Sequence, residues 1–95
     1  MRIESLEWDD RNIAHIAVHN VDPQEVEDVC FSIHLSRSEG RHRYILAGQT
    51  ARGRYLYVVI GLVRDTAFRP IPAFDMSDEH KHRFRRRLNR SQGRK

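Results

Sequence analysis

Tyr55-Leu56-Tyr57-Val58-Val59-Ile60 is apolar on both faces of an extended chain. Such a strand belongs in the middle of a sheet, because both of its faces need cover. The run predicts a central strand over 54–63, with Val58 and Ile60 in the core. The apolar period is also two on either side of it, which predicts strands near 33–37, 42–49 and 66–74. Ser38-Glu39-Gly40-Arg41, Thr50-Ala51-Arg52-Gly53 and Val63-Arg64-Asp65 connect them. Links this short imply antiparallel hairpins. Pro70 and Pro72 lie two apart, so their missing N–H groups point to one side of their strand and predict a locally open edge.

Upstream of Phe31 the period is helical. Asp22-Pro23-Gln24-Glu25 supplies an N-cap, a proline at the first helical position and a capping-box acid. Val21 and Val26 occupy the positions of a hydrophobic staple, and Val26, Val29 and Cys30 define a buried face. Before this helix, Asp9 reads as an N-cap and Ile13, Ile16 and Ala17 recur at helical spacing, predicting a helix over 10–19. Residues 3–8 read as a short strand that brings Trp8 into the core. Downstream, a last helix is expected from about Ser77 to Asn89, with Met76, Phe84 and Leu88 as a narrow apolar stripe among arginines. The polar end from Asn89 to Lys95 is expected to fray. The order β-α-α-β-β-β-β-α predicts one α+β domain over 1–95, an antiparallel sheet with helices packed on it.

Composition narrows the function. No apolar run approaches the ~20 residues that span a bilayer. Met1-Arg2-Ile3-Glu4 carries no signal-peptide pattern, and Cys30 is the single cysteine, so no intrachain disulfide forms. A cytoplasmic location is the expectation. Net charge is +4, but it is polarised: residues 1–40 hold three arginines against nine carboxylates, net −6, and residues 41–95 hold fourteen cations against four carboxylates, net +10. Fifteen of the seventeen cations are arginine, whose planar fork suits bidentate phosphate contacts. A polyanion such as nucleic acid is the expected partner.

Glycine patterns for nucleotide phosphates and a nucleophile elbow are absent. His15 and His19 have the i,i+4 spacing of two zinc ligands, but Ile16 replaces the metalloprotease glutamate and no third ligand lies nearby in sequence. His80 and His82 do not share a helix face. Neither metal nor cofactor is therefore expected. The remaining chemistry lies in arginine, histidine, tyrosine and glutamate beside the sheet: His19, Glu39, Arg41, His42, Arg54, Tyr55, Arg64 and Arg69. Such groups can cleave RNA without metal. A base takes the 2′-hydroxyl proton, arginines stabilise the phosphorane and an acid protonates the leaving oxygen. The same groups could form a passive phosphate-binding face.

Three segments resemble one family in order and spacing. Trp8-Asp9-Asp10-Arg11, His19-Asn20-Val21-Asp22, Glu25 and Val29-Cys30-Phe31 form the first. Gly53-Arg54-Tyr55-Leu56-Tyr57-Val58-Val59 is the second, and the third runs from Arg69-Pro70-Ile71-Pro72-Ala73-Phe74-Asp75-Met76-Ser77 through Glu79 to Phe84-Arg85-Arg86. Together they resemble the BrnT-type toxins. The resemblance implies a RelE-like fold and a type II toxin–antitoxin toxin, a ribonuclease that inhibits translation by cutting RNA. It also implies a ribbon-helix-helix antitoxin as partner and operator DNA bound through the complex. By the same resemblance His19, Arg54 and Arg69 are the candidate catalytic residues, with His19 as base or acid and the arginines on phosphate. Glu39, Arg41, Arg64, Arg83 and Arg86 are candidate RNA-binding residues.

The chain departs from the family at two places. A family arginine falls on Phe74, and the family's Lys-His-Gly becomes Val18-His19-Asn20. A catalytically weakened member acting as an antitoxin- and nucleic-acid-binding module is the alternative expectation. Structural roles are open as well. His19 suits a helix C-terminus, Arg54 suits a cross-strand pair with an acid such as Glu39, and Arg69 suits a solvated strand position. The acidic first half and the edge near Pro70 are expected to help receive a basic antitoxin segment.

Overall fold

The computed structural model describes residues 1–92. The elements follow the expected order: β1 (Ser5–Leu6), α1 (Asp10–Ala17), α2 (Pro23–Cys30), β2 (His34–Ser38), β3 (Arg43–Gln49), β4 (Tyr55–Arg64), β5 (Ala67–Asp75) and α3 (Asp78–Gln92). The strands form one five-stranded sheet in the order β1-β5-β4-β3-β2, so the doubly apolar β4 is its central strand. Pairing is antiparallel from β2 through β5. The expected all-antiparallel sheet needs one correction. β1 runs parallel to β5, pairing Ser5 with Ala67 and Leu6 with Phe68, so the sheet is mixed. The reason is connectivity: two helices separate β1 from β2, and only adjacent strands with short links are obliged to run antiparallel.

Both early helices start on reciprocal capping boxes. Asp9 Oδ1 accepts from the Asn12 N–H at 3.0 Å while Asn12 Oδ1 accepts from the Asp9 N–H at 2.9 Å. Asp22 and Glu25 exchange the same pair of bonds at 2.9 and 3.1 Å. The buried face of α1 is rotated from its expected position: Asn12 and Ile16 are buried, whereas Ile13 and Ala17 are exposed. Asn12 tolerates burial because its amide also donates to the Glu7 carbonyl at 2.9 Å. α1 ends at Ala17 rather than near His19, because the chain turns into a left-handed conformation at Asn20 (φ 59°).

Residue parity in β4 divides the molecule into two layers. Leu56, Val58 and Ile60 point to one face, where they join Ile16, Val21, Val26, Val29, Cys30, Leu46, Phe68 and Ala73 in the main core. Trp8 packs at its margin, half-buried, with its indole N–H donating to Glu27 at 3.1 Å. Gly48 lets α2 sit close to β3, since a Cβ there would lie 2.8 Å from Val29 Cγ1. Tyr55 and Tyr57 point to the other face, where α3 lies. Phe84 of α3 is buried edge-on against Tyr55 with ring centroids 5.9 Å apart, and His80 meets Tyr57 at 5.5 Å. The charge polarity of the sequence thus becomes a polarity across the sheet, with acidic α2 on one side and basic α3 on the other.

The Pro70–Pro72 segment disturbs the sheet as its missing donors require. The β4–β5 register shifts between Val58 and Ile60, whose partners are Ala73 and Pro70. On its other side β5 is paired with β1 only through Ala67 and Phe68. α3 extends past the expected end at Asn89 to Gln92, where Arg90 suits the negative end of the helix dipole. The expected fraying of residues 93–95 lies outside the described residues.

Candidate functional site

The open face of the sheet and α3 enclose a groove of about 470 Å³. Strand alternation supplies one wall: Leu35 and Arg37 of β2, Ile45 and Ala47 of β3, Tyr57 of β4 and Phe74 of β5. Helical spacing supplies the other. His80, Arg83, Phe84 and Arg87 fall at i, i+3, i+4 and i+7, one stripe of α3. Three arginines, one histidine and the rings of Tyr57, Phe74 and Phe84 therefore line one groove.

The rings form a row. Tyr57 and Phe74 are cross-strand partners with centroids 5.8 Å apart. His80 meets Tyr57 edge-on at 5.5 Å, and His19 lies 6.2 Å from Phe74 at the far end. Two of the groove's arginines are held only lightly. Arg37 reaches Glu39 at 3.4 Å and Arg83 reaches Glu79 at 3.3 Å, with all four side chains substantially exposed. Contacts of this kind contribute about 0–1 kcal/mol and give way readily to a phosphate.

His19 and Arg54 meet just beside this row. Arg54 engages every N–H of its guanidinium within the protein. Nε and Nη2 donate to Asp75 at 2.8 and 3.2 Å, Nη1 to the Asn20 carbonyl at 2.7 Å and to Glu25 at 3.0 Å, and Nη2 also to the His19 carbonyl at 3.1 Å. Arg54 therefore ties the end of α1, the start of α2 and the end of β5 together. The expected pair with an acid of an adjacent strand forms, but with Asp75 of β5 rather than with Glu39, which lies in the β2–β3 turn at the opposite end of the sheet from the start of β4. The carboxylates raise the guanidinium pKa, with the Asp75 hydrogen bond contributing most. In return Arg54 holds the Asp75 carboxyl below its ordinary range.

The other sequence-selected residues spread over the surface. Arg69, in the first half of β5, forms a bidentate pair with the α1 cap Asp9 at 2.6 and 3.1 Å. That pair, aided by the Asn12 N–H, holds the Asp9 carboxyl down at about 2. Arg64 pairs with Glu7 at 2.9 Å, and Glu39 and Arg41 lie in the β2–β3 turn at the same end of the sheet. Arg86 is exposed on α3 and does not line the groove, whereas Arg83 does. The structure thus gathers His19 and Arg54 at one end of the ring row and places Arg83 over the groove. It leaves Arg69, Glu39, Arg41 and Arg64 elsewhere.

Sequence reasoning passed over Tyr57, Phe74, His80, Arg37 and Arg87 as a group. Two signals for them were present: the alternation that puts Tyr57 opposite the core face of β4, and the i, i+3, i+4, i+7 stripe from His80 to Arg87. Their juxtaposition depends on α3 folding back over the sheet. Among the described residues no group of three or more histidine, cysteine or carboxylate side chains converges as a metal site, and no helix is long and apolar enough to cross a membrane. Comparison with protein-family models, curated proteins and solved structures yields no match.

Proposed function

We propose that this chain binds RNA in the groove between the sheet and α3 and cleaves it without metal, as the toxin half of a toxin–antitoxin pair. The observation that carries the reading is the groove itself, where Arg37, Arg83 and Arg87 surround His80, Tyr57 and Phe74. Arginines at this density hold phosphates and stabilise the added negative charge of a phosphorane. His80 is the imidazole inside the groove and takes or returns the proton of the 2′-hydroxyl or the leaving 5′-oxygen. His19 is the second imidazole, at the other end of the ring row. Arg54, with its donors engaged by the protein, serves the site by fixing the His19 segment. In the toxin setting a ribbon-helix-helix antitoxin would be the neutralising partner, with operator DNA bound by the complex.

A second reading is a non-enzymatic binding module of the same fold. It is favoured by Phe74 standing where the resembled family carries arginine. One experiment separates the two: cleavage of RNA by the purified protein in excess EDTA, with His80→Gln, Arg83→Glu and Phe74→Arg beside it. The ribonuclease reading expects wild type to cut, His80→Gln to lose at least about 100-fold in rate and Arg83→Glu to bind more weakly. If only Phe74→Arg cuts, the binding-module reading replaces it. If wild type neither cuts nor binds, on free or ribosome-bound message, both readings fail.

A further inference from the structure

We infer that Tyr57 and Phe74 form a base-stacking subsite that takes one unpaired nucleobase, so that the groove accepts single-stranded rather than duplex RNA. The inference deepens the RNA-binding reading and rests on it.

Four observations carry it. Tyr57 and Phe74 are a cross-strand pair on the open face, not on the face of the main core. Both are half-buried, where a core role would bury them as it buries Phe84 on the same side of the sheet. Tyr57 and Phe74 are tilted by 47° at 5.8 Å and His80 meets Tyr57 in a T-shaped contact, so no two of these rings are stacked in parallel on one another. Among the described residues the Tyr57 hydroxyl has no hydrogen-bond partner, which leaves it to donate to a ligand that enters the groove.

The surroundings match a nucleotide. The groove's volume, about 470 Å³, lies in the range that encloses a small organic ligand. Arg37 from β2 and Arg83 from α3 line the same groove as the rings, and guanidinium groups there can bind the phosphates of a strand whose base is stacked. An aromatic face accepts any nucleobase, so the subsite is tolerant of sequence. It selects for strandedness, because in a duplex both faces of each base are already covered by its neighbours. Phe74 then has a positive role: the ring that replaces a family arginine trades a phosphate contact for a base contact.

The test uses a four-nucleotide 2′-O-methyl RNA carrying one 2-aminopurine, which has no free 2′-hydroxyl to react. Its fluorescence reports stacking and its titration gives Kd. Competitors are an abasic strand of equal length and charge and a duplex containing the same sequence. Wild type is expected to quench the probe and to bind it more tightly than either competitor. Phe74→Leu and Tyr57→Leu, which keep an apolar side chain without a ring, should each weaken probe binding by roughly 5- to 150-fold. Phe74→Leu should not change affinity for the abasic strand, and Phe74→Tyr should retain probe binding. Thermal unfolding of each variant shows that it folds.

If the abasic strand binds as tightly as the probe and Phe74→Leu changes nothing, the stacking subsite is overturned while RNA binding through the arginines stands. If no strand binds and Arg83→Glu is without effect, the RNA-binding reading falls and this inference with it.

Discussion

Replacing Arg54 with methionine isolates the contribution of one guanidinium to this fold. The side chain is 25% exposed and joins three segments distant in sequence, through two carboxylates and two main-chain carbonyls. Hydrogen bonds to charged groups contribute about 1.5–3 kcal/mol each when well desolvated, and exposed ion pairs about 0.2–1 kcal/mol. Arg54 lies between these limits, because Asp75 is 59% exposed and Glu25 only 26%. Its loss also leaves the Asp75 and Glu25 carboxylates and the His19 and Asn20 carbonyls without the cation they share. The expected cost of Arg54→Met is about 2–3 kcal/mol. For a domain of this size that lowers Tm by roughly 10–20 °C.

Circular-dichroism melts at neutral pH measure this effect, and a double-mutant cycle with Asp75→Asn apportions it. The pair should be non-additive, since both changes remove one of the same bonds. The Asp75 carboxyl is depressed in the fold by Arg54, so its contribution is complete above its unfolded pKa and disappears as pH falls through the lower folded value. The gap between wild type and Arg54→Met should therefore narrow in acid, below about pH 4. A Tm change of under about 2 °C, or one abolished by 1 M salt, would refute the view that Arg54 is a structural tie rather than a screened surface cation.

Three further outcomes are expected. The Asp9 carboxyl should titrate near 2 by NMR and return toward its ordinary 3.8 in Arg69→Gln; an unchanged midpoint would mean that the Arg69 pair does not form in solution. Gly48→Ala should lower stability by about 1–3 kcal/mol in urea unfolding, since the new Cβ meets Val29 Cγ1 at 2.8 Å; an unchanged midpoint would show that α2 can retreat freely. Burial, with a smaller push from Glu27, raises the Cys30 thiol to about 12, so native protein should resist iodoacetamide at neutral pH while urea-unfolded protein reacts. Rapid labelling of the native state would place Cys30 outside the core.

The sequence by itself determined the elements and their order, because those depend on near neighbours. The caps at Asp9 and Asp22 bond residues three positions away. The doubly apolar run from Tyr55 to Ile60 marks its own place at the sheet centre, and short links force the hairpins on either side of it. Tertiary structure decided what distant segments do to one another. The parallel seating of β1 on β5 could not be read locally, because no short link constrains it. Asn12 rather than Ile13 turned inward because its partners Asp9 and the Glu7 carbonyl lie just before α1, where the chain returns from the sheet.

The candidate site divides in the same way. Arginine enrichment and the charge imbalance were plain in the sequence, but any of a dozen cations could have been selected from it. Only the fold separates an arginine such as Arg54, whose donors are all engaged by α1, α2 and β5, from Arg37 and Arg83, which stand over a groove. Tyr57 and Phe74 read as ordinary strand residues until α3 returns across the sheet and brings His80 and Arg83 to them. A charge or a ring takes its chemistry from what surrounds it in space, and for this chain those surroundings come from segments distant in sequence, 55 residues apart in the case of His19 and Phe74.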